Sequence, residues 1–305
     1  MTPDVLVGAF GRVGRMVRRH WPADRGLIAT GRGANLDGTH LDGPNPEGAG
    51  LRWAPLEGPA ALLAHLDKTG QQPAALVMLA GVTPAPGLED AALHGGNTAI
   101  ARACLAAARA AGIGRVLLAS SSAIYGVDPQ GRPFAETAPL APLSPYGRAK
   151  QAMEAEADPF REAGMAVTAL RIGNVAGADA LLYPLTAAMA RPEAPRPPIR
   201  LHGFADGQGP LRSYIGAETM ARVLAALTAH PAPLPDVLNL AAPCPLRMRA
   251  LAQAAGWPCE MVAAPPGAHQ TITLDCGRLA GLFPFGKDDS DPAAMVAQWK
   301  ATLPR

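Results

Sequence analysis

The sequence predicts an α/β protein with a doubly wound parallel sheet, followed by a smaller C-terminal lobe. Apolar runs of strand length alternate with segments of helical periodicity between residues 4 and 171. The runs are apolar throughout, which is typical of strands buried on both faces in a parallel sheet that helices cover. The chain has 305 residues, an ordinary length for such a sheet carrying a smaller lobe in one continuous unit.

The first half of the sheet begins with a strand, a glycine turn and a helix. Asp4–Val7 is a short apolar run that ends at Gly8, and helical spacing follows directly. The later run AALVMLA holds no polar residue and predicts a fully buried strand. The elements predicted here are strand 4–7, helix 12–20, strand 26–30, a strand around Trp53, helix 59–69 and strand 74–80.

The second half continues the alternation. A long Ala-rich helical pattern is stopped by Gly112, and a short buried strand follows it. The elements predicted here are helix 97–111, strand 116–119, helix 145–163 and strand 166–171. Six strands separated by helices predict a parallel sheet with helices on both faces.

After Gly173 the composition changes, and this region is interpreted as the lobe that binds substrate. Residues 192–198 (PEAPRPP) are proline-rich and residues 203–209 contain three glycines, so this stretch predicts a mobile flap. The elements predicted beyond it are helix 217–229, strand 237–240, helix 247–255 and helix 292–303. We expect an NAD(P)-binding domain at 1–172 and a substrate-binding lobe at 173–305, interleaved as one structural unit.

Composition excludes several classes of function. The formal net charge is +2 without a basic run, which gives no support to nucleic-acid binding. No apolar stretch is long enough to span a bilayer, and the chain enters its first strand without a signal peptide, so we expect a soluble, cytoplasmic protein with no membrane partner. The four cysteines form no C-x-x-C pair and no zinc spacing, so we expect no metal and reduced thiols.

Three glycines lie where the first strand gives way to the first helix. They are Gly8, Gly11 and Gly14 in GAFGRVG. Glycines at these places permit a tight turn, let the backbone approach a pyrophosphate and let the helix pack on the strand, while helix N-terminal amides face the phosphates. An ordinary glycine-rich turn is the alternative, but the position at the start of a βαβ unit favours a Rossmann-type dinucleotide site.

The end of the second strand bears on the choice of cofactor. An acidic residue there would bind the adenosine ribose of NAD, but this sequence has Thr30, Gly31 and Arg32. Arg32 and Arg12 offer two guanidinium groups for a 2′-phosphate, which favours NADP over NAD. The alternative is that both arginines are solvated surface residues.

Tyr146 and Lys150 belong to a second group of candidate functional residues. Their spacing of four puts both side chains on one face of the predicted helix. Upstream, Ser120, Ser121 and Ser122 end the fifth strand, at the carboxyl edge where ligands of open α/β sheets bind. The alternative is that the serines are small residues at a strand end and that Tyr146 only begins a helix.

With these motifs the chain resembles the extended short-chain dehydrogenase/reductase family, in its branch of NAD(P)-dependent sugar-nucleotide epimerases, dehydratases and reductases. The resemblance covers nearly the whole length. Its further marks are Leu79-Ala80-Gly81 after the buried fourth strand, Asn97 opening a helix, Tyr125-Gly126 after the serines, Leu170-Arg171-Ile172-Gly173-Asn174-Val175, Arg212-Ser213-Tyr214-Ile215 and Asn239.

The resemblance implies a role for each matching position. Ser121, four residues before the tyrosine of Tyr125-Gly126, would be the catalytic hydroxyl, Tyr146 the acid/base and Lys150 its partner. A tyrosine of reference pKa about 10 must be lowered toward neutrality, and a nearby ammonium can do that. The cofactor residues implied are Gly8, Phe10, Gly11, Arg12, Val13, Arg32, Leu79, Ala80, Gly81, Ser120, Tyr146 and Lys150. The substrate residues implied are Ser122, Asn174 and Arg212, the last of which is equally compatible with a surface salt bridge.

Departures from the family pattern reduce the number of candidate reactions. Ser122 and Ala123 stand where the family's dehydratases carry an Asp-Glu pair, which argues against a dehydratase. Ser213 and Gly216 stand where the family has an acidic residue and a histidine, which weakens the case for a nucleotide sugar. The missing ribose-binding acid fits a reductase that uses NADPH better than an epimerase that retains NAD.

The sequence therefore predicts an NAD(P)-dependent reductase or epimerase acting on a sugar nucleotide or a similar hydroxy/keto compound. The alternative from another class is a non-catalytic protein that senses NADP with the same fold. By analogy with the family, helices 97–111 and 145–163 would pair in a homodimer.

Overall fold

The computed structural model describes residues 2–31, 51–189, 193 and 196–303. Its strands are β1 Asp4–Val7, β2 Leu27–Gly31, β3 Leu51–Arg52, β4 Leu76–Met78, β5 Arg115–Ser121, β6 Ala166–Ile172, β7 Asn174–Val175, β8 Ile199–Gly203, β9 Leu211–Arg212, β10 Tyr214–Ile215, β11 Val237–Leu240, β12 Leu246–Arg247, β13 Cys259–Ala263 and β14 Thr271–Ile272. Its helices are α1 Arg12–Arg19, α2 Ala60–Thr69, α3 Asp90–Ala110, α4 Pro145–Ala155, α5 Asp158–Glu162, α6 Thr186–Met189, α7 Ala217–Ala229, α8 Met248–Ala254, α9 Gly277–Ala280 and α10 Pro292–Lys300.

Seven strands form the main sheet in the order β11-β6-β5-β4-β1-β2-β3. The pairs β1–β2, β1–β4, β2–β3 and β4–β5 are parallel. The strand order reverses between β1 and β4, and ligands of such sheets bind at the carboxyl ends of the strands beside that point. The predicted doubly wound sheet is confirmed.

The chain divides into two compact units. The first contains residues 1–126, 139–171 and 221–238, and the second contains residues 127–138, 172–220 and 239–305. The assignment of a cofactor-binding domain to 1–172 and of a substrate-binding lobe to 173–305 stays a prediction.

The core of the first unit lies between the sheet and its helices. Buried side chains of β1, β4 and β5 pack with those of α2 and α3 and with Trp53, which is fully buried. Trp53 lies just beyond β3 rather than within it, and its indole Nε1 donates to the carbonyl of Gly58 at 2.7 Å. The strand predicted around Trp53 therefore ends at Arg52, one residue before the tryptophan.

Helix α3 begins seven residues before the predicted start. The added residues include two adjacent glycines, Gly95 and Gly96, although glycine is unfavourable in a helix interior. Packing explains the second of them, since a Cβ at Gly96 would lie 2.6 Å from the Cγ2 atom of Val82. Asn97, expected to open the helix, lies in its interior instead.

The predicted helix 145–163 is two helices, α4 and α5. In the second unit the structure adds short strands that the sequence did not predict: the pair β10–β7, the three-stranded sheet β12-β9-β14 and the pair β13–β8. Part of the flap predicted at 192–209 lies outside the described residues, and Ile199–Gly203 within it form a strand, β8, that pairs with β13 rather than a loop. No helix in the described ranges is long and apolar enough to cross a membrane.

Helix α10 packs against Gly177 and against the start of α7 in the second unit. The side chain of Trp299 lies so close to Gly177 that a Cβ there would be 2.1 Å from its Cδ1 atom, and Gly177 has φ +92°. Gln298 accepts hydrogen bonds from the amides of Glu218 and Thr219 at the start of α7, at 3.0 and 3.2 Å. A Cβ at Gly216 would lie 2.0 Å from the Gln298 Oε1 atom, so Gln298 occupies the space that a side chain at Gly216 would need.

Candidate functional site

The glycine loop joins β1 to α1 at the carboxyl edge of the sheet. Gly8 has φ +84°, and a Cβ there would lie 2.6 Å from the backbone nitrogen of Ala80 beyond β4. A Cβ at Gly14 would lie 2.0 Å from the carbonyl oxygen of Gly8, so α1 packs directly on the loop. Two of the three motif glycines are therefore required by close backbone approach.

The first turn of α1 has backbone amides that no capping side chain binds. Gly11 is the N-cap, with extended backbone and no side chain to accept from the amides that follow. No acidic residue lies in this first turn, and Arg12 and Val13 are its first two residues. Uncapped amides at a helix N-terminus are suited to phosphate groups. The loop and this turn thus fit the pyrophosphate of a dinucleotide.

An arginine of α1 that the sequence analysis did not single out, Arg18, lies near the end of β2 through its contact with Phe10. Gly31 packs against Phe10, since a Cβ there would lie 2.6 Å from the Cδ2 atom of the ring. The guanidinium of Arg18 lies over the same ring, 4.9 Å from its centroid. Within the described residues the buried Nη1 atom of Arg18 has no hydrogen-bond partner. Burial and the charge of Arg15 lower the pKa of Arg18. Arg32 lies outside the described residues.

Ser121 and Tyr146 lie together at the end of β5. The last residue of the strand is Ser121, and its Oγ accepts from the amide of Ala123 at 3.2 Å in the 3-10 turn Ser122–Ile124. The hydroxyls of Ser121 and Tyr146 share a hydrogen bond. Burial raises the pKa of Tyr146, and this hydrogen bond partly offsets the increase.

The start of α4 fixes Tyr146. Ser144 is the N-cap and its Oγ accepts from the amide of Gly147 at 3.1 Å, while Pro145 takes the first helical position. A Cβ at Gly147 would lie 2.3 Å from the carbonyl oxygen of Ala123, so the helix packs closely on the turn that follows Ser121. Tyr146 and Ser121 are therefore held by adjoining pieces of backbone.

Lys150 lies one turn farther along α4, as the sequence predicted. Its Nζ donates to the carbonyl of Ala119 on β5 at 2.9 Å and lies 5.8 Å from the centroid of the Tyr146 ring. The side chain is only 4% exposed. Burial lowers the pKa of Lys150 to about 8, and the charge of Glu154 works against that decrease.

Residues after β4 lie against the same site. A Cβ at Gly81 would lie 3.0 Å from the Oδ1 atom of Asn97 and 3.2 Å from the Nζ atom of Lys150. The Nδ2 atom of Asn97 donates to the carbonyls of Val82 and Leu93. Among the described residues, neither the buried Oδ1 atom of Asn97 nor the buried Oγ atom of Ser120 has a hydrogen-bond partner.

Such unpaired polar atoms are uncommon in protein interiors. They fit a site that holds a polar ligand, and they agree with the glycine loop in pointing to a dinucleotide. Asn97 was left out of the predicted site because its helix was expected to begin there. Nothing in the sequence around Asn97 indicated that its side chain would contact the residues that follow β4.

The predicted substrate residues fall in two parts of the chain. Ser122 opens the 3-10 turn in the first unit, whereas Asn174 on β7 and Arg212 on β9 belong to the second. Arg212 donates to the carbonyls of Leu211, Gln270 and His269 at 2.7–2.8 Å, and in the described part of the chain it bonds no carboxylate. Its guanidinium therefore has no local counter-charge, which is compatible with an anionic ligand. Within the described residues, the alternative of a surface salt bridge finds no partner for this arginine.

A profile of the NAD dependent epimerase/dehydratase family matches residues 5–241. Among curated proteins, UDP-glucose 4-epimerase of Azospirillum brasilense is 41% identical over 87 residues, which is 27% of this chain and 24% of that protein. UDP-glucose 4-epimerase of Rhizobium leguminosarum bv. trifolii is 36% identical over 135 residues, which is 42% of this chain and 41% of that protein. The matched segments thus span less than half the length of either relative.

Two solved structures resemble the chain over nearly its whole length. UDP-glucose-4-epimerase from Stenotrophomonas maltophila, with bound NAD and formylated UDP-arabinopyranose, has a TM-score of 0.79 at 18% identity and covers 99% of this chain and 98% of that one. UDP-glucose 4-epimerase from Brucella ovis in complex with NAD has a TM-score of 0.78 at 22% identity and covers 97% and 96%. At these identities the likeness confirms the predicted fold.

Proposed function

The chain belongs to the NAD dependent epimerase/dehydratase family, as its motifs predicted, and from that premise we propose that it is an enzyme that oxidises or reduces a hydroxy/keto carbon of a sugar nucleotide with a nicotinamide dinucleotide. One observation carries the proposal. Ser121, Tyr146 and Lys150 converge beside the glycine loop, at the edge of the sheet where such a ligand binds.

Each side chain has a step in the proposed reaction. Tyr146 takes the proton from the substrate hydroxyl in oxidation and returns it in reduction. Ser121 donates a hydrogen bond to the substrate oxygen as charge develops on it. Burial raises the pKa of Tyr146, and the role proposed for Lys150, when protonated, is to favour the ionised form of Tyr146 against that burial and to bind the ribose of the cofactor. The nicotinamide ring, when bound, supplies the hydride donor or acceptor.

Two observations support the substrate class. The matched relatives are called UDP-sugar 4-epimerases, and Arg212 offers a guanidinium without a carboxylate partner for a phosphate. We assign Asn174 and Ser122 to the substrate as well. Incubating the protein with a panel of nucleotide sugars and either cofactor, followed by chromatography of the products, tests the assignment. No product from any of them would contradict it.

Two reactions remain within this proposal, and a different observation favours each. The basic residues near β2 favour a reductase that releases NADP after each turnover, whereas the names of the relatives favour a 4-epimerase that keeps NAD. The reductase yields a product two electrons more reduced than its substrate, and the epimerase yields an isomer. The same chromatography with mass detection distinguishes them.

We propose NADP as the preferred cofactor, with the guanidinium groups of Arg12, Arg18 and Arg32 as candidate partners of a 2′-phosphate on the adenosine ribose. Arg12 and Arg32 are assigned from sequence, and Arg18 lies over Phe10, which itself packs on the last residue of β2. An unpaired guanidinium nitrogen at this place offers a donor to a 2′-phosphate.

Arg18→Met should weaken NADPH binding about tenfold to a hundredfold, since a hydrogen bond to a charged group contributes about 1.5–3 kcal/mol. NADH affinity should change less than about twofold, because NADH has no 2′-phosphate. Calorimetric titration of both cofactors measures the two constants, and Arg19→Met on the adjacent helical position is the control. Equal losses for NADPH and NADH would remove Arg18 from cofactor selection.

We also propose that the chain forms a homodimer, by analogy with the family. Helices α3 and α4 pack on each other, and their surface carries the ion pair of Arg102 with Glu156 at 2.8 Å. Sedimentation velocity should give a mass near twice that of the chain. A monomer would contradict the analogy on which the homodimer is based.

A further inference from the structure

A buried ion pair lies behind the candidate site in the first unit. Arg171, near the end of β6, donates to the carboxylate of Glu154 from Nε at 3.2 Å and from Nη2 at 2.9 Å. Its Nη1 atom donates to the hydroxyl of Tyr125 at 3.0 Å, and its guanidinium lies 5.0 Å from the centre of that ring. All three side chains are buried. The desolvation cost of a buried ion pair can exceed its electrostatic gain, so stability alone does not account for these charges.

The carboxylate belongs to the same face of α4 as the candidate catalytic groups. Tyr146, Lys150 and Glu154 follow one another at intervals of four residues, which places them in one row along the helix. Glu154 acts electrostatically on Lys150, raising the pKa that burial lowers.

The surroundings of Lys150 offer few other charges. The groups that face it are the Ala119 carbonyl on β5, the Met153 thioether and the Tyr146 ring on α4, and the Asn97 amide of α3 across Gly81. Arg171 is itself bonded to the carboxylate. Within the described residues, Glu154 is the carboxylate that acts on the charge of Lys150.

Tyr125 connects the ion pair to Ser121. Its amide donates to the carbonyl of Ser122 at 3.1 Å and closes the 3-10 turn that begins directly after Ser121. The hydroxyl of the same residue is held by Arg171. A chain of contacts therefore runs from α4 through β6 to the turn that carries the second hydroxyl of the site.

We propose that Glu154 is a positioning residue that supplies the counter-charge to the Lys150 ammonium and, through Arg171 and Tyr125, fixes Ser121 relative to Tyr146. This inference rests on the site proposed above. Because the charge of Glu154 raises the pKa of Lys150, its removal leaves burial unopposed and lowers that pKa further. The protonated form is the one that assists Tyr146, so its loss moves the alkaline limit of activity to lower pH.

The test is the ionisation of Lys150 in Glu154→Gln. The chain has four lysines, so Cε-labelled lysine gives four resonances, and Lys150→Met assigns the relevant one. We expect the Lys150 midpoint to fall by about one pH unit in Glu154→Gln. The alkaline limb of the turnover profile should fall by the same amount.

Glu156→Gln is the matched control, because Glu156 lies at the end of the same helix and pairs with Arg102 at the surface. It should leave both pH midpoints in place. An unchanged Lys150 midpoint in Glu154→Gln would overturn the electrostatic part of the inference. A wild-type protein that shows the Lys150 titration but converts no nucleotide sugar would contradict the proposed function instead.

Tyr125→Phe tests whether Arg171 and Tyr125 fix Ser121 relative to Tyr146. It also tests the proposal if Glu154→Gln does not fold. It keeps both charges of the ion pair and removes the hydroxyl that Arg171 holds. We expect kcat to fall about tenfold while the substrate KM and the cofactor Kd stay unchanged. Full turnover in this variant would overturn the connection from Glu154 to Ser121.

Discussion

Replacing Tyr146 by phenylalanine should lower turnover by about a thousandfold and leave the affinity for the dinucleotide within about twofold, since general acid–base catalysis contributes about 10²–10⁴. The change removes the hydroxyl that shares a hydrogen bond with Ser121 and leaves the ring over which Lys150 lies. The loss should therefore be in kcat rather than in cofactor binding.

Turnover is measured by chromatography of the nucleotide-sugar product with mass detection, which registers an isomer as well as a reduced product, and binding is measured by calorimetry of the same preparations. Tyr183→Phe is the control, because Tyr183 is 42% exposed and lies in the second unit. Unchanged turnover in Tyr146→Phe would place the acid/base elsewhere. A wild-type protein that binds NADP but has no turnover would favour the NADP-sensing alternative, which the comparisons do not favour.

Gly14→Ala should destabilise the first unit and abolish cofactor binding. The added Cβ would lie 2.0 Å from the carbonyl oxygen of Gly8, so α1 must move away from the loop. Inserting a methyl group into packed backbone costs about 3 kcal/mol. The melting temperature should fall by roughly 5–10 °C. Differential scanning calorimetry and titration with NADPH measure the two effects.

Gly95→Ala is the matched control for that substitution. Gly95 lies within α3, and a Cβ there has no atom within 4 Å. Alanine is favoured over glycine in a helix interior by about 1 kcal/mol, so the melting temperature should stay the same or rise. Equal melting temperatures for Gly14→Ala and wild type would show that α1 does not need its close approach to the glycine loop.

The sheet and the core of the site were predictable because their signals are local. The strand, glycine turn and helix around Gly8 follow from the order of residues, and the spacing of Tyr146 and Lys150 fixes their common face. The serines at the end of β5 follow from the rule that ligands bind at the carboxyl edge. These features require only short-range patterns and one rule of topology.

The parts that sequence did not predict depend on contacts between distant residues. The early start of α3 depends on how Gly96 packs on Val82, and the place of Asn97 follows from that start. Arg18 gains its position from Phe10, and Glu154 gains its partner from β6. The short strands of the second unit have two residues each in most cases, too few for a periodic pattern.

The central claim is that this chain binds a nicotinamide dinucleotide at the glycine loop, and direct cofactor analysis tests it. The protein is purified without added nucleotide and denatured, any released cofactor is identified by mass spectrometry, and the emptied site is titrated with NADPH and NADH. We predict an emptied site that binds NADPH more tightly than NADH. Retained NAD would contradict the NADP preference and favour a 4-epimerase, and a folded protein that binds neither cofactor would contradict the central claim.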